Sequence, residues 1–431
     1  MSDERRSLAD WWAAPAAPYI AAVAVRTAAR AAWGLALPTL LTVAAYGSYQ
    51  VVATAAAMAA QLALLGAPQT IVRYAGRRLP MRFLVLHSVA LAAIAIGAAA
   101  AFIPRTRTPA MLGALAAVSL ATLGATLFGA RAKARFAFGT SLRAELGGAV
   151  VLVVAAIVAV AGIARTVITP GVALMVESIA LGATAVVLLR ARDSRATTTS
   201  TSDAAQASPP VRRMLADIYS VGALVLLDVV LFRRLEVYFL ERSPDGLVGV
   251  AVLGLSLQIV SIALLVPTAL LETWQPRLAL AQHSGGDAGF EREFARRGKW
   301  FARLMVGVVL LGTAVPLVAV PLVFPRYSPW LGYIVAFVFI RLACAGAGFY
   351  SSALYAAGRH RALYAPAVVA VVIAIAGNVV FTRQMGLRGA LVAYGATQVT
   401  VAVLTVVAFY RASTRVGAGT TPGPAEARIV A

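Results

Sequence analysis

Acidic residues, lysine and cysteine are all scarce in this chain. Its 431 residues include 17 Asp and Glu against 38 Lys and Arg, a formal net charge of +21 at pH 7, and charged residues make up only 13% of the whole. A soluble domain carries roughly 25%, so a water-soluble fold of any class is excluded. The single cysteine, Cys344, permits neither an intramolecular disulfide nor a cysteine metal cluster. His87, His283 and His360 stand far apart, without HExxH or comparable spacing, and read as span-end or loop residues rather than metal ligands. Lys133 in AKA and Lys299 in GKW are the lysines, and neither belongs to a GxxxxGKS/T phosphate-binding loop, which removes ATP hydrolysis by that route. Ser351 and Ser352 lack a GxSxG setting. An intramembrane transferase would need carboxylates clustered in its outer loops, which here are short and poor in them. No enzyme activity, cofactor or metal is expected.

Apolar residues are abundant. Hydrophobic types form 61% of the chain and the mean hydropathy is +0.83. Apolar runs of about 20 residues, enough to cross a hydrocarbon core of about 30 Å as helices, recur through nearly all of it. Thirty-five glycines and many alanines suit helices packed closely in lipid, and the two-residue alternation of a membrane barrel is missing. The expectation is an all-α polytopic membrane protein of twelve spans. They run from Pro18 to Ala44, Val51 to Val72, Phe83 to Ile103, Met111 to Ala130, Leu146 to Ile163 and Val172 to Leu189. The second six run from Leu215 to Leu240, Leu247 to Leu271, Leu304 to Phe324, Leu331 to Ser352, Ala362 to Thr382 and Leu391 to Phe409.

With both termini in the cytoplasm, inner segments hold about 26 of the 38 basic residues, outer loops about 7 and helices about 5, the asymmetry of the positive-inside rule. The charge excess is thus topological. It argues against a nucleic-acid partner and for contact with anionic membrane lipids. The start, MSDERRSLADWW, lacks the basic opening and small-residue cleavage site of a signal peptide.

One stretch, Asp193 to Pro210, is rich in Thr, Ser and Ala and ends in Pro-Pro, the composition of a linker. It divides the chain into an N-terminal lobe (1–192, helices 1–6), a cytoplasmic linker (193–213), a C-terminal lobe (214–412, helices 7–12) and a disordered cytoplasmic tail (413–431). Six crossings return the chain to the same side, so the lobes would be related about the membrane normal. Paired segments echo this: ARAKARF from Ala130 with AGRHRAL from Ala357, and GVALMV from Gly171 with GALVAY from Gly389. The segment His283 to Lys299 reads as an amphipathic helix on the inner surface.

The run ALPTLLTVAAYGSYQVVATAAAMAAQLALLGAPQTIVRYAGRR from Ala36 resembles the multidrug/oligosaccharidyl-lipid/polysaccharide (MOP) exporter superfamily, and within it the polysaccharide branch of O-antigen-type lipid-linked oligosaccharide flippases. The likeness rests on a first helix, an aromatic-Gly turn at Tyr46, Gly47 and Tyr49, a second helix ending in Leu-Gly, and a basic exit at Val72-Arg73-Tyr74. RLEVYFLER from Arg234 and VPTALLETWQPRLA look like the start of the second lobe, and FPRYSPW from Phe324, SALYAAGRHRAL from Ser352 and GLRGALVAYGATQV from Gly386 resemble its last helices. The resemblance implies two six-helix lobes in a V, a central cavity open alternately to each face, and movement of a polyprenyl-pyrophosphate-linked sugar.

Ionised groups at membrane depth cost at least about 2.5 to 3.5 kcal/mol and mark pairs or water-filled cavities. If helix 1 starts near Pro18, Arg26 and Arg30 lie about 12 and 18 Å into the membrane. Their i,i+4 spacing sets them on one face, as a bidentate clamp for pyrophosphate. The competing reading starts the helix near Thr27 and leaves both arginines snorkelling among inner headgroups. Arg341 falls near the midplane of helix 10, a third candidate for binding substrate. Glu177, Asp228 and Glu236 are candidates for proton uptake during transport or for neutralising an arginine, and Arg233 and Glu236, one turn apart, can form a structural pair. Excess interior positive charge favours an anionic cargo.

The leading expectation is therefore a flippase of lipid-linked oligosaccharides in the bacterial cytoplasmic membrane. Its partners would be the lipid-linked glycan, membrane lipids, and a polysaccharide polymerase or glycosyltransferases. The alternatives are an ion-coupled multidrug exporter, a lipid II flippase, and a non-transporting scaffold for glycan synthesis.

Overall fold

The structure, a computed structural model, describes residues 17–73, 80–134, 138–161, 168–190, 210–232 and 235–417. Most of the expected linker and of the tail lies outside these residues. All regular elements among them are helical. The first group comprises α1 (Ala17–Leu40), α2 (Val43–Leu64), α3 (Ala67–Arg73), α4 (Met81–Phe102), α5 (Pro109–Ala134), α6 (Phe138–Val160) and α7 (Pro170–Arg190). The second comprises α8 (Val211–Phe232), α9 (Leu235–Glu241), α10 (Gly246–Ala263), α11 (Leu265–Val323), α12 (Leu331–Ala345), α13 (Ala347–Ala356), α14 (Tyr364–Gly377), α15 (Arg383–Met385) and α16 (Leu387–Gly417). A π-turn, Asn378–Thr382, joins α14 to α15.

Helix boundaries follow local chemistry. Pro109 and Pro170 open α5 and α7, where a missing N–H costs nothing. Thr42 caps α2 by accepting a hydrogen bond at Oγ1 from the Ala45 amide, 3.2 Å. That cap corrects the expected boundary between the first two helices. The turn is at Leu41 and Thr42, so Tyr46, Gly47 and Tyr49 belong to the opening turns of α2 and form no turn themselves. Gly47 is required there for another reason: a Cβ would overlap the Leu247 carbonyl of α10.

A second correction concerns 283–299. Gly286, at φ 55°, ψ −153°, separates two helices within α11, and from 287 onward the segment runs without a break into the apolar helix that follows. Glycine takes that left-handed conformation without the steric penalty of a Cβ. Pro267 lies in the first turn of α11, just after the chain bends at Leu264, and so disrupts no interior hydrogen bond.

Within the first group α1 packs on α6, α5 on α7 and α2 on both α4 and α5; within the second α14 packs on α16, α11 on α12 and α10 on α12. The groups meet where α2 and α1 lie against α10, and where α3 and α2 lie against α8. At the end of the molecule carrying Thr42 this seam is laced by polar links. Arg105 pairs with Glu241 at 2.8 Å, and Arg242 and Arg326 donate to the carbonyls of Phe102 and Leu41. Tyr46 meets Tyr327 edge to face, with ring centroids 6.4 Å apart.

Among the described residues nine helical stretches are long and apolar enough to cross a membrane, which makes this a multi-pass membrane protein. The expected first two spans, α1 and α2, are not among them; both lie against α10 at the seam. Both carry polar or charged residues, Arg26 and Arg30 on α1 and Gln50 and Gln61 on α2, and a helix facing another protein lobe need not be apolar on that side, whereas one facing lipid must be.

Candidate functional site

The interior charges sort into three places. On α1, Arg26 and Arg30 are spaced i,i+4 on a helix that is continuous from Ala17, which removes a helix start near Thr27. At 1.5 Å per residue they stand about 14 and 20 Å along it. Arg26 pairs through Nη1 with Oε1 of Glu145 on α6, 3.2 Å away, and its side chain remains 34% exposed. Arg30 is exposed. Its main-chain carbonyl accepts a hydrogen bond from Gln258 of α10 at 3.4 Å, so Arg30 sits at the seam between the two groups of helices.

In the first group, Glu177 of α7 accepts a hydrogen bond from the Tyr49 hydroxyl of α2. Tyr49 stacks on Tyr46, and Tyr46 reaches Tyr327 of the second group. The carboxylate of α7 is thereby joined through two aromatic rings to the seam. Gln50 and Thr54, buried on the same helix as these tyrosines, add polar groups where a lipid-facing helix would have none.

In the second group, Glu236 of α9 is 1% exposed. Its Oε1 meets no hydrogen-bonding group among the described residues, while the Asn378 amide and the charge of Arg341 act on the carboxylate. Arg341 of α12 donates from Nη1 to Oε1 of Gln398 on α16 at 2.8 Å. Asn378 opens the π-turn, is fully buried, and accepts from the Thr382 hydroxyl at 2.8 Å. Four chain segments therefore deliver one acid, one cation and three neutral polar side chains to a buried cluster. π-turns of this kind recur at functional sites because they aim a side chain that a regular helix would turn away.

The three arginines expected to bind substrate are thus divided between the two groups of helices: Arg26 and Arg30 on α1, Arg341 on α12. Asp228 lies on α8, but its side chain falls outside the description, and Arg233 lies outside the described residues. Sequence reasoning missed Glu145, because an expected helix start at Leu146 left it just outside a span; α6 begins at Phe138 instead. It also missed Asn378 and Gln398. Uncharged amides in apolar runs draw little notice, although each lies in an expected span where a buried polar side chain needs a partner.

No family model matches the sequence, and no curated protein matches it. Solved structures do. The chain is similar to a multidrug resistance MATE family transporter of the MOP superfamily in an inward-facing conformation, with a TM-score of 0.61 at 16% identity over 91% of this chain and 95% of the other. An outward-facing structure of such a transporter gives 0.59 at 15% identity over 93% and 94%. A MOP superfamily transporter from Pyrococcus furiosus gives 0.50 at 15% over 93% and 94%. The chain has the all-helical fold of these transporters across nearly its whole length.

Proposed function

We propose that the chain is an alternating-access transporter whose cargo is a polyprenyl-pyrophosphate-linked oligosaccharide. The observation that carries this reading is the pair Arg26 and Arg30: two guanidiniums spaced i,i+4 on one helix, Arg26 held by Glu145 and Arg30 exposed at the seam. A guanidinium presents a planar fork that matches phosphate oxygens, and the pair supplies two. The lipid tails stay between the lobes in the bilayer while the headgroup crosses. Glu177 and Glu236 are the groups that take up a proton or offset an arginine as the seam opens and closes. Among the structural relatives, the Pyrococcus furiosus protein is one for which reversed polarity of the binding pocket suggests a different function, which supports reading cargo class from the sign of interior charge.

In this proposal the chain lies in a bacterial cytoplasmic membrane with both ends inside, beside a polysaccharide polymerase and glycosyltransferases. Reporters fused after Arg195 and Arg326 should then report opposite sides, cytoplasmic and external. The second reading is a multidrug exporter. It is favoured by the multidrug resistance transporters that share the fold and by the interior carboxylates as sites for organic cations. Proteoliposomes decide between them. Inward-to-outward movement of a fluorescent lipid-linked oligosaccharide, without gradient-driven uptake of cationic dyes, is the expected result; dye transport without lipid movement would replace the first reading by the second.

A further inference from the structure

We infer that the outer face of α11 is a binding site for an acidic phospholipid, with its headgroup on a basic stripe and an acyl chain in the groove below. Arg292, Arg296, Lys299 and Arg303 follow one another at intervals of four, three and four residues, and all are exposed. Val306 and Leu310 continue the same stripe with exposed apolar side chains, 60% and 67%. Spacing of this kind keeps the six residues on one side of a helix.

Four residues of the stripe line two open surface hollows, Arg292 and Arg296 the first, Val306 and Leu310 the second. A polar one of about 330 Å³ is lined by Gly289, Arg292, Glu293 and Arg296. An apolar one of about 360 Å³ lies between α11 and α12, lined by Ala302, Val306, Val309, Leu310, Leu342 and Ala343. From Arg296 to Leu310 is fourteen residues, about 21 Å of helix. That is close to half of a bilayer of about 40 to 45 Å including headgroups, the reach of one phospholipid from phosphate to chain end.

The cations on this face differ from Arg297 of the same helix. Arg297 points inward, donates from Nε to Glu293 at 2.6 Å and lies over the Trp274 ring at 5.3 Å. Arg296 shares Glu293. Arg292, Lys299 and Arg303 pair with no acid among the described residues. Trp300, half exposed beside them, is the residue type that settles at the headgroup level. A stripe of cations directly above an apolar hollow fits a ligand that is anionic at one end and hydrocarbon at the other.

The test uses the purified full chain in mild detergent, with bound lipid counted by native mass spectrometry after addition of phosphatidylglycerol, phosphatidylcholine, undecaprenyl phosphate or inorganic phosphate. Phosphatidylglycerol should be retained over phosphatidylcholine. Its retention should weaken roughly fivefold for each of Arg292→Gln, Lys299→Gln and Arg303→Gln. Ala302→Trp, at an exposed position inside the groove, should weaken it with every charge intact. Circular dichroism and melting in detergent confirm the fold of each variant. Equal retention of both phospholipids, or retention unchanged in the glutamine variants, overturns the site. Retention unchanged by Ala302→Trp, or inorganic phosphate bound as tightly as the lipid, removes the groove from it. Undecaprenyl phosphate held in place of phosphatidylglycerol gives the groove to the cargo and overturns the proposal.

Discussion

Arg26 and Glu145, 119 residues apart, close an ion pair of 3.2 Å between α1 and α6. The pair gives α1 a charge-neutral contact on its own lobe while the Arg26 side chain keeps a third of its surface open. An arginine so placed can exchange its carboxylate for a phosphate as a ligand arrives, so that the guanidinium keeps an anionic partner throughout.

Glu145→Gln tests that exchange. A pair this exposed contributes about 1 kcal/mol or less to folding, so the variant should insert and melt much like the parent. With the carboxylate gone, the guanidinium no longer has a competitor for an anionic cargo. The concentration of lipid-linked oligosaccharide at half-maximal flipping should fall severalfold in proteoliposomes. An unchanged value would mean that Arg26 does not meet the cargo.

Glu236 and Arg341 make a different case, because Glu236 is buried with an oxygen that lacks a hydrogen bond. Arg341→Met removes the positive charge that acts on that carboxylate and the hydrogen bond to Gln398, and should lower the melting temperature of the protein. Glu236→Gln alone removes the charge and keeps the shape, so it should be tolerated. The double variant, Glu236→Gln with Arg341→Met, should recover much of what Arg341→Met loses. Melting of the four proteins in one detergent gives the cycle. If Glu236 also carries the coupling proton, Glu236→Gln should flip lipid without response to an imposed pH gradient.

Gly47→Val should act on the seam. A side chain there overlaps the Leu247 carbonyl, so the end of the molecule held by Arg105 and Glu241 cannot close. The single native thiol, Cys344, can be replaced by serine and a cysteine placed at Leu247. Labelling of that cysteine by a membrane-impermeant maleimide should rise severalfold in Gly47→Val, with transport lost. Labelling equal to that of the parent would show that the seam tolerates the valine.

The sequence made the membrane class, the run of apolar helices and the interior arginines legible, because each is a local property: hydropathy along a window, or a charge where charge is costly. It concealed what depends on distant packing. Tyr46, Gly47 and Tyr49 look like a turn, since aromatic-Gly pairs often are. Thr42 starts the helix before them, and Leu247, two hundred residues on, is what makes the glycine necessary. Residues 283–299 look like an independent amphipathic helix because their charges end where the apolar run begins. A single left-handed glycine at 286 suffices to redirect the chain, and the helix then continues unbroken through that change of composition. The partners of Arg26 and Arg341 lie 119 and 57 residues away, separations at which no spacing rule applies.

Replacing Arg26 and Arg30 by lysine separates a cargo site from a topology signal. Lysine keeps each positive charge, and the positive-inside rule counts it equally, so insertion and orientation should be unchanged. It lacks the planar fork that bridges two phosphate oxygens. If the two arginines hold a pyrophosphate, each single lysine variant should slow flipping about tenfold, the effect of roughly 1.4 kcal/mol lost from one charge-assisted hydrogen bond. The double variant should lose nearly all activity. Glu145 still offers the ammonium of Arg26→Lys a partner, so loss of the ion pair would not account for the defect. The measurement is flipping of a fluorescent lipid-linked oligosaccharide, normalised to protein in the membrane, for both singles and the double. Full activity in the double-lysine protein would leave Arg26 and Arg30 as markers of the cytoplasmic end of α1 and shift the search for the cargo site to Arg341 and its neighbours on α16.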